Sequence, residues 1–213
     1  MTFYFKVCGI TDAAGLAAAV SHGADAVGFN FHPGSPRFIE AATARALVAQ
    51  LPDSVASVGV FVNRPLDEVV DWMDESGVEW AQFHGDEKPA ALVNFPRSWY
   101  PALRPAGSLP TDLDEWAAPF VLVDARQAGA YGGTGHTADW VIARHIARVR
   151  DTLLAGGLGP DNLAAALDAV RPAGVDLNSG VESAPGIKDS ALLARAGAVL
   201  AGWQQPRHGE EPR

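Results

Sequence analysis

A single-domain (β/α)8 barrel is the fold this sequence predicts, and three observations lead there. Short apolar runs alternate with segments of helical period along the chain. Eight such runs fit into 213 residues, about 27 residues per βα unit. Polar residues and glycines gather just after the runs, where a parallel barrel carries its chemistry.

From the N-terminus, the expected strands are residues 3–9, 26–31, 57–62, 80–84, 100–103, 120–124, 152–155 and 174–177. Most are nearly continuous apolar runs, as parallel strands buried on both faces require. Between them, apolar residues recur at helical spacing. Ala44, Leu47, Val48 and Leu51 keep one face, as do Leu66, Val69, Val70 and Met73. Leu163, Ala166, Leu167 and Val170 repeat the pattern, followed by Leu192, Ala196, Val199 and Trp203. Pro65 ahead of Asp67 and Glu68 marks one helix start, and Asp161 marks another. In the fifth unit Pro96, Pro101, Pro105 and Pro110 break the pattern, and the helix is expected to shrink to residues 112–116. An open doubly wound sheet would leave the last two units unexplained. The barrel is assigned to residues 1–203 and a polar tail to 204–213, with no linker and no second domain.

Composition narrows the partners. At 48% hydrophobic residues the chain can bury a sizeable core, yet no apolar run approaches the roughly 18 residues of a membrane span. The N-terminus lacks the pattern of a signal peptide, and one cysteine allows no internal disulfide; the expected location is cytoplasmic. A net charge of −9 argues against nucleic acid or an acidic membrane surface, but leaves room for an anionic small molecule held by local donors. The pattern is compatible with a monomer or a homodimer.

The residues after the strands suggest a site. Gly156-Gly157 and Ser179-Gly180 follow the seventh and eighth strands, where barrels often hold a phosphate on backbone N–H groups; the plainer account is that they close tight turns. Gly133-Thr134-Gly135 echoes part of a dinucleotide fingerprint but opens no βαβ unit. Cys8 is either a small buried hydrophobe or a reactive thiolate; Lys6, on the same side of the strand, favours the second and burial opposes it. Asp124, ending the run from Phe120 to Val123, is either a turn cap or a carboxylic acid with a raised pKa. Arg37 presents a fork suited to a carboxylate, or a solvated charge. Six histidines without ligand spacing and a lone cysteine give no metal site, and no Gly-x-Ser-x-Gly elbow is present; neither metal nor organic cofactor is expected.

These residues belong to motifs that resemble the phosphoribosylanthranilate isomerase family of tryptophan biosynthesis. The motifs are Lys6-Val7-Cys8-Gly9-Ile10, Ser35-Pro36-Arg37-Phe38-Ile39, Gly59-Val60-Phe61-Val62-Asn63 and Gln82-Phe83-His84-Gly85. They continue with Leu122-Val123-Asp124, Gly132-Gly133-Thr134-Gly135, Leu154-Ala155-Gly156-Gly157-Leu158 and Asp176-Leu177-Asn178-Ser179-Gly180-Val181-Glu182, the last running on through Ser183-Ala184-Pro185-Gly186-Ile187-Lys188-Asp189. Eight motifs in order, from Lys6 to about Trp203, make the resemblance specific.

The resemblance implies a cofactor-free Amadori rearrangement of N-(5-phosphoribosyl)anthranilate. Asp124 would protonate the furanose ring oxygen, and Cys8 would remove the C2 proton. Arg37 would hold the anthranilate carboxylate, and backbone around Gly156, Gly157, Ser179 and Gly180 the phosphate. Gln82, His84, Asp176 and Asn178 would line the site. The chain departs from the family at His136 and Ala138, where Lys and Phe are usual, in the second loop at Asn30-Phe31-His32-Pro33-Gly34, and in the fifth unit. Three rivals remain on view. One is a histidine-pathway isomerase or dual-substrate barrel, which would use two aspartates where this chain has Cys8. Another is indole-glycerol phosphate synthase, whose lysine and glutamate pattern is absent. The third is a non-catalytic barrel that binds a phosphorylated ligand.

Overall fold

Parallel strands buried on both faces need a helix or a loop to return the chain each time, and the chain supplies these returns in order. The computed structural model describes residues 4–105, 107–125 and 137–203. Eight strands form a closed barrel in sequence order: β1 (Tyr4–Val7), β2 (Ala26–Asn30), β3 (Ala56–Phe61), β4 (Trp80–Phe83), β5 (Ser98–Leu103), β6 (Val121–Asp124), β7 (Thr152–Ala155) and β8 (Gly174–Leu177). All neighbours pair in parallel, and β8 pairs back to β1. The returning helices are α1 (Ala13–Ser21), α2 (Ala41–Val48), α3 (Leu66–Ser76), α4 (Pro89–Leu92), α5 (Thr137–Ala147), α6 (Leu163–Val170) and α7 (Ser190–Gly202). Phe3, the Gly132–Gly135 segment, His136, the side chain of Ala138 and the tail lie outside the described residues.

Caps start and stop the helices where their orphaned backbone groups need partners. The Asp12 carboxylate accepts from the Gly15 N–H at 2.7 Å ahead of α1, and Asp189 accepts from Ala191 and Leu192 ahead of α7. Helix α3 ends at Gly77, whose φ of 75° suits a residue without a Cβ. Pro65 is the residue before α3 rather than its first, and Asn162 rather than Asp161 directly precedes α6. The fifth unit returns through a single 3-10 turn, Leu113–Glu115, inside the expected 112–116. Strand β5 starts two residues earlier than expected, and its Pro101, which has no N–H to donate, sits beside Phe83 of β4.

The pleat divides the apolar residues into two cores. Phe5, Val7, Val27, Phe29, Val121, Val123 and Val175 point outward and pack with helix residues such as Leu16, Val69, Leu163 and Leu193. A smaller cluster fills the barrel: Ala26, Val58, Tyr100, Ala102, Leu122, Leu153 and Ala155, with Trp80 and Phe120 against it. The barrel interior also holds an ion pair. Lys6 and Asp176 face each other in the β1–β8 register, with Nζ 2.8 Å from Oδ2 and side chains 0% and 6% exposed.

Removing one partner of such a pair strands the other charge in an apolar interior. Lys6→Met should therefore lower the unfolding free energy by about 3–5 kcal/mol, read from urea denaturation. Adding Asp176→Leu to it should recover most of that loss. A single variant as stable as the double would show that Asp176 is not left as a buried charge.

Candidate active site

Cys8 follows β1 by one residue and is 5% exposed. Its N–H donates to the Leu177 carbonyl at 2.8 Å, which fixes it against the end of β8. Space for its side chain comes from Gly28 on β2: a Cβ there would lie 2.8 Å from Sγ and 3.0 Å from Lys6 Nζ. Burial pushes the Cys8 thiol above its ordinary value, the Lys6 and Lys188 ammonium groups offset this only in part, and Asp176 adds to it. The direction is opposite to the depressed thiol that Lys6 alone would produce. For Lys6, burial opposes the charge, but the Asp176 carboxylate overrides it and the net direction is upward. Burial raises the Asp176 carboxyl, and Lys6 offsets that incompletely.

A second charged network lies beside the thiol. After β8 the chain makes a 3-10 turn, Ser179–Val181, and a small antiparallel ribbon of β9 (Glu182–Ala184) and β10 (Ile187–Lys188). Glu182 on this ribbon accepts from Arg37 Nε at 2.9 and 3.1 Å and from Nη2 at 2.6 Å. Lys188 Nζ donates to Glu182 at 2.7 Å and to Asn178 Oδ1 at 3.1 Å. Burial works against ionisation of Glu182, but the hydrogen bonds from Arg37 and Lys188 override it and hold its carboxyl below the usual range. Gly9, at φ 72°, permits the crowding, since a Cβ there would lie 2.7 Å from both Arg37 Cδ and Asn178 Oδ1. Arg37 thus meets a carboxylate, as its fork suggests, but the protein's own. Its Nη1 edge makes no hydrogen bond among the described residues.

Asp124 closes β6, three strands from β1 around the ring by way of β7 and β8. Its carboxylate oxygen Oδ2 lies 3.6 Å from His84 Nε2, with the two side chains 20% and 23% exposed. His84 Nδ1 lies 2.8 Å from Gln82 Nε2, and the Tyr100 hydroxyl donates to Gln82 Oε1 at 3.0 Å. The loops after β7 and β8 sit between the acid and the thiol. Gly156 and Gly157 adopt φ 107° and 70°. Gly159 and Gly180 bring these loops into backbone contact: a Cβ on Gly180 would collide with the Leu158 carbonyl, and one on Gly159 would lie 2.7 Å from the Gly180 carbonyl oxygen.

Every candidate from the sequence within the described residues comes to the C-terminal rim or just below it. Asp176 lies deeper, and its Oδ1 is a buried acceptor without a hydrogen-bond partner among the described residues. Sequence reasoning missed Tyr100, Glu182 and Lys188 as parts of the site. Glu182 and Lys188 were visible only as motif letters, and Tyr100 lay in the proline-blurred fifth unit. A cleft of about 280 Å³ between the loops after β4 and β5 is lined by Asp86, Lys88, Arg104 and Trp116. Neither Cys8 nor Asp124 lines it. Among the described residues no helix is long and apolar enough to cross a membrane.

Barrel and rim together define the class: a (β/α)8 barrel that gathers a carboxyl group, Asp124, and a thiol, Cys8, at its C-terminal strand ends, where such barrels carry their chemistry. Comparison with known proteins makes the class specific. The chain belongs to the N-(5'-phosphoribosyl)anthranilate (PRA) isomerase family, whose model matches residues 5–196. It is 40% identical over 210 residues to an N-(5'-phosphoribosyl)anthranilate isomerase of Syntrophus aciditrophicus, covering 98% of this chain and 91% of that one. The phosphoribosyl anthranilate isomerase structure from Thermotoga maritima superposes with a TM-score of 0.84 at 35% identity, covering 95% of this chain and 100% of that chain. A further structure of this enzyme, in complex with reduced 1-(o-carboxyphenylamino)-1-deoxyribulose 5-phosphate, gives 0.79 at 32% identity over 95% of this chain and 100% of that one.

Two pH effects follow from the site. With one cysteine in the chain, the thiolate absorbance titrates a single group once the Cys8→Ala trace is subtracted. Its midpoint should lie above the ordinary thiol value of about 8.5, and Lys6→Met should move it higher; a downward move would reject Lys6 as a thiolate-favouring group. Glu182 acts at the other end of the scale. Its depressed folded value contributes stability that is present above the ordinary carboxylate pKa of about 4.3 and is lost as pH falls through the folded value. Glu182→Gln should flatten the fall in stability below about pH 4, measured by denaturant titrations at several pH values. An unchanged slope would remove Glu182 from the acid response.

Proposed function

We propose that this chain converts N-(5'-phosphoribosyl)anthranilate to 1-(2-carboxyphenylamino)-1-deoxyribulose 5-phosphate in tryptophan biosynthesis, with Asp124 as acid and Cys8 as base. The observation that carries the assignment is the order around the rim: Asp124 at the end of β6, the loops after β7 and β8, then Cys8 after β1. A phosphate held by backbone N–H groups around Gly156, Gly157, Ser179 and Gly180 would set the ribose between the two groups.

In the reaction, Asp124 gives its proton to the furanose oxygen, and the ring opens to an iminium ion. Cys8 as thiolate takes the C2 proton, leaving an enolamine that tautomerises to the ketone. Oxidation at one carbon is matched by reduction at its neighbour, so no external electron acceptor enters. Because burial keeps the resting thiol up, Cys8 must first release its own proton to solvent, and the positive charge of the iminium favours that ionisation. Arg37 would take the anthranilate carboxylate end-on through Nη1 and Nη2, since its Nε edge is given to Glu182. Asp176 Oδ1 suits a sugar hydroxyl, for it is a buried acceptor without a partner among the described residues. Asn178, Gln82 and His84 line the mouth on either side. A cytoplasmic location fits a biosynthetic enzyme with one unpaired cysteine.

The test follows the anthranilate fluorescence of substrate generated in situ. Wild type should remove it rapidly, and Cys8→Ala and Asp124→Asn should each slow the loss by about 10²-fold or more while remaining folded. Signal loss at the spontaneous rate with wild type would sink the isomerase assignment.

A further inference from the structure

We infer that Tyr100, Gln82 and His84 form a hydrogen-bonded relay that fixes the His84 tautomer and so positions the Asp124 carboxyl for proton transfer. The inference rests on the acid role given to Asp124 above and adds Tyr100, a buried group which that role does not use.

The relay begins in the strand register. Gln82 of β4 and Tyr100 of β5 are direct neighbours, and the phenol packs against Phe120 at 4.6 Å and Trp80 at 6.3 Å between ring centroids. The ring is thereby held with its hydroxyl toward Gln82. Among the described residues that hydroxyl has one acceptor, Gln82 Oε1, at 3.0 Å. Burial pushes the phenol well above its ordinary value, so the proton stays in place.

A hydroxyl that donates to Oε1 decides which way the amide faces. The Gln82 amide nitrogen is then turned to His84 Nδ1, 2.8 Å away. Nδ1 accepts that N–H, and the imidazole proton resides on Nε2. Nε2 is the atom that faces Asp124 Oδ2, at 3.6 Å. This separation is longer than a hydrogen bond, but such contacts tighten when charge develops at the acceptor. As Asp124 gives up its proton, negative charge grows on its oxygens, and the Nε2–H dipole is already aimed at them. With the amide turned over, Nδ1 would carry the proton and a lone pair would face the carboxylate.

The test combines a spectroscopic readout with a kinetic cycle. Long-range 1H–15N correlations of the His84 ring, assigned by comparison with His84→Gln, should show the Nε2–H tautomer in wild type and a tautomer mixture in Tyr100→Phe. Tyr100→Phe should reduce kcat about 10-fold with KM changed less than about twofold, the signature of an interaction used in the transition state. In an Asp124→Asn background the same substitution should cause no further loss, because the relay acts only through that carboxyl. His84→Gln, which keeps an N–H donor, should retain more kcat than His84→Leu. Additive losses in the Asp124→Asn background, or a raised KM with an unchanged tautomer, would overturn the relay and leave the isomerase reading intact. An Asp124→Asn variant as active as wild type would overturn the relay and the acid assignment together.

Discussion

The buried pair of Lys6 and Asp176 is the constraint around which this molecule is arranged. It lies where the barrel closes, on the first and last strands, between residues 170 positions apart in the chain. Two charges at this depth are tolerable only as partners. A slip of β8 by one residue would turn Asp176 out of the interior and leave Lys6 alone there. The pair therefore favours a single register at closure. It also leaves little room for neighbours, which is why β2 carries Gly28 opposite Lys6 and Cys8.

The thiol sits between two such charge-compensated sets. On one side Lys6 is matched by Asp176; on the other Arg37 and Lys188 share Glu182. The cations nearest Cys8 thus arrive with their counter-ions; Asp176 opposes the pull of Lys6 on the thiolate, and what Lys6 and Lys188 still contribute does not match the effect of burial. Burial then decides the resting state, and the thiol is held up. The same compensation keeps the cations in place: without Glu182, Arg37 and Lys188 would repel each other across the loops after β2 and β8.

Much of this was legible in the sequence, for physical reasons. Strands buried on both faces are mostly apolar, so β2, β3 and β7 stand out as runs, and polar residues such as Asp124 are conspicuous where a run ends. The ends of elements were less legible: Pro65 and Asp161 mark helix starts only to within a residue, since caps are settled by which side chain reaches the free N–H groups. The ribbon of β9 and β10 escaped notice because strands of three and two residues carry no period. The direction of the Cys8 shift escaped too. Lys6 is two residues away and visible, whereas the carboxylate that absorbs its charge comes from the far end of the chain. Arg37 is similar: its fork announces a carboxylate, and only the fold reveals that Glu182 already holds one edge of it.

A resting thiol kept protonated has a consequence for the order of events. A preformed thiolate beside an open mouth would be exposed to alkylation and oxidation throughout the protein's life. With Asp124 and Cys8 in the roles proposed above, the base would be called up by the chemistry that needs it: ring opening would create a cation next to Cys8, while the negative charge left by the proton transfer would rest on Asp124, three strands away. On that assignment the acid step would come first, and anything that sharpened proton transfer from Asp124 would also hasten formation of the Cys8 thiolate. Asp124 and Cys8, three strands apart on the barrel rim, would in this way be coupled through the charge of the intermediate rather than through a contact between them. Such coupling would let a barrel hold its base in a dry, crowded pocket without giving up its reactivity: desolvation suppresses the thiolate while the site is at rest and would strengthen the attraction of thiolate to iminium once that ion has formed.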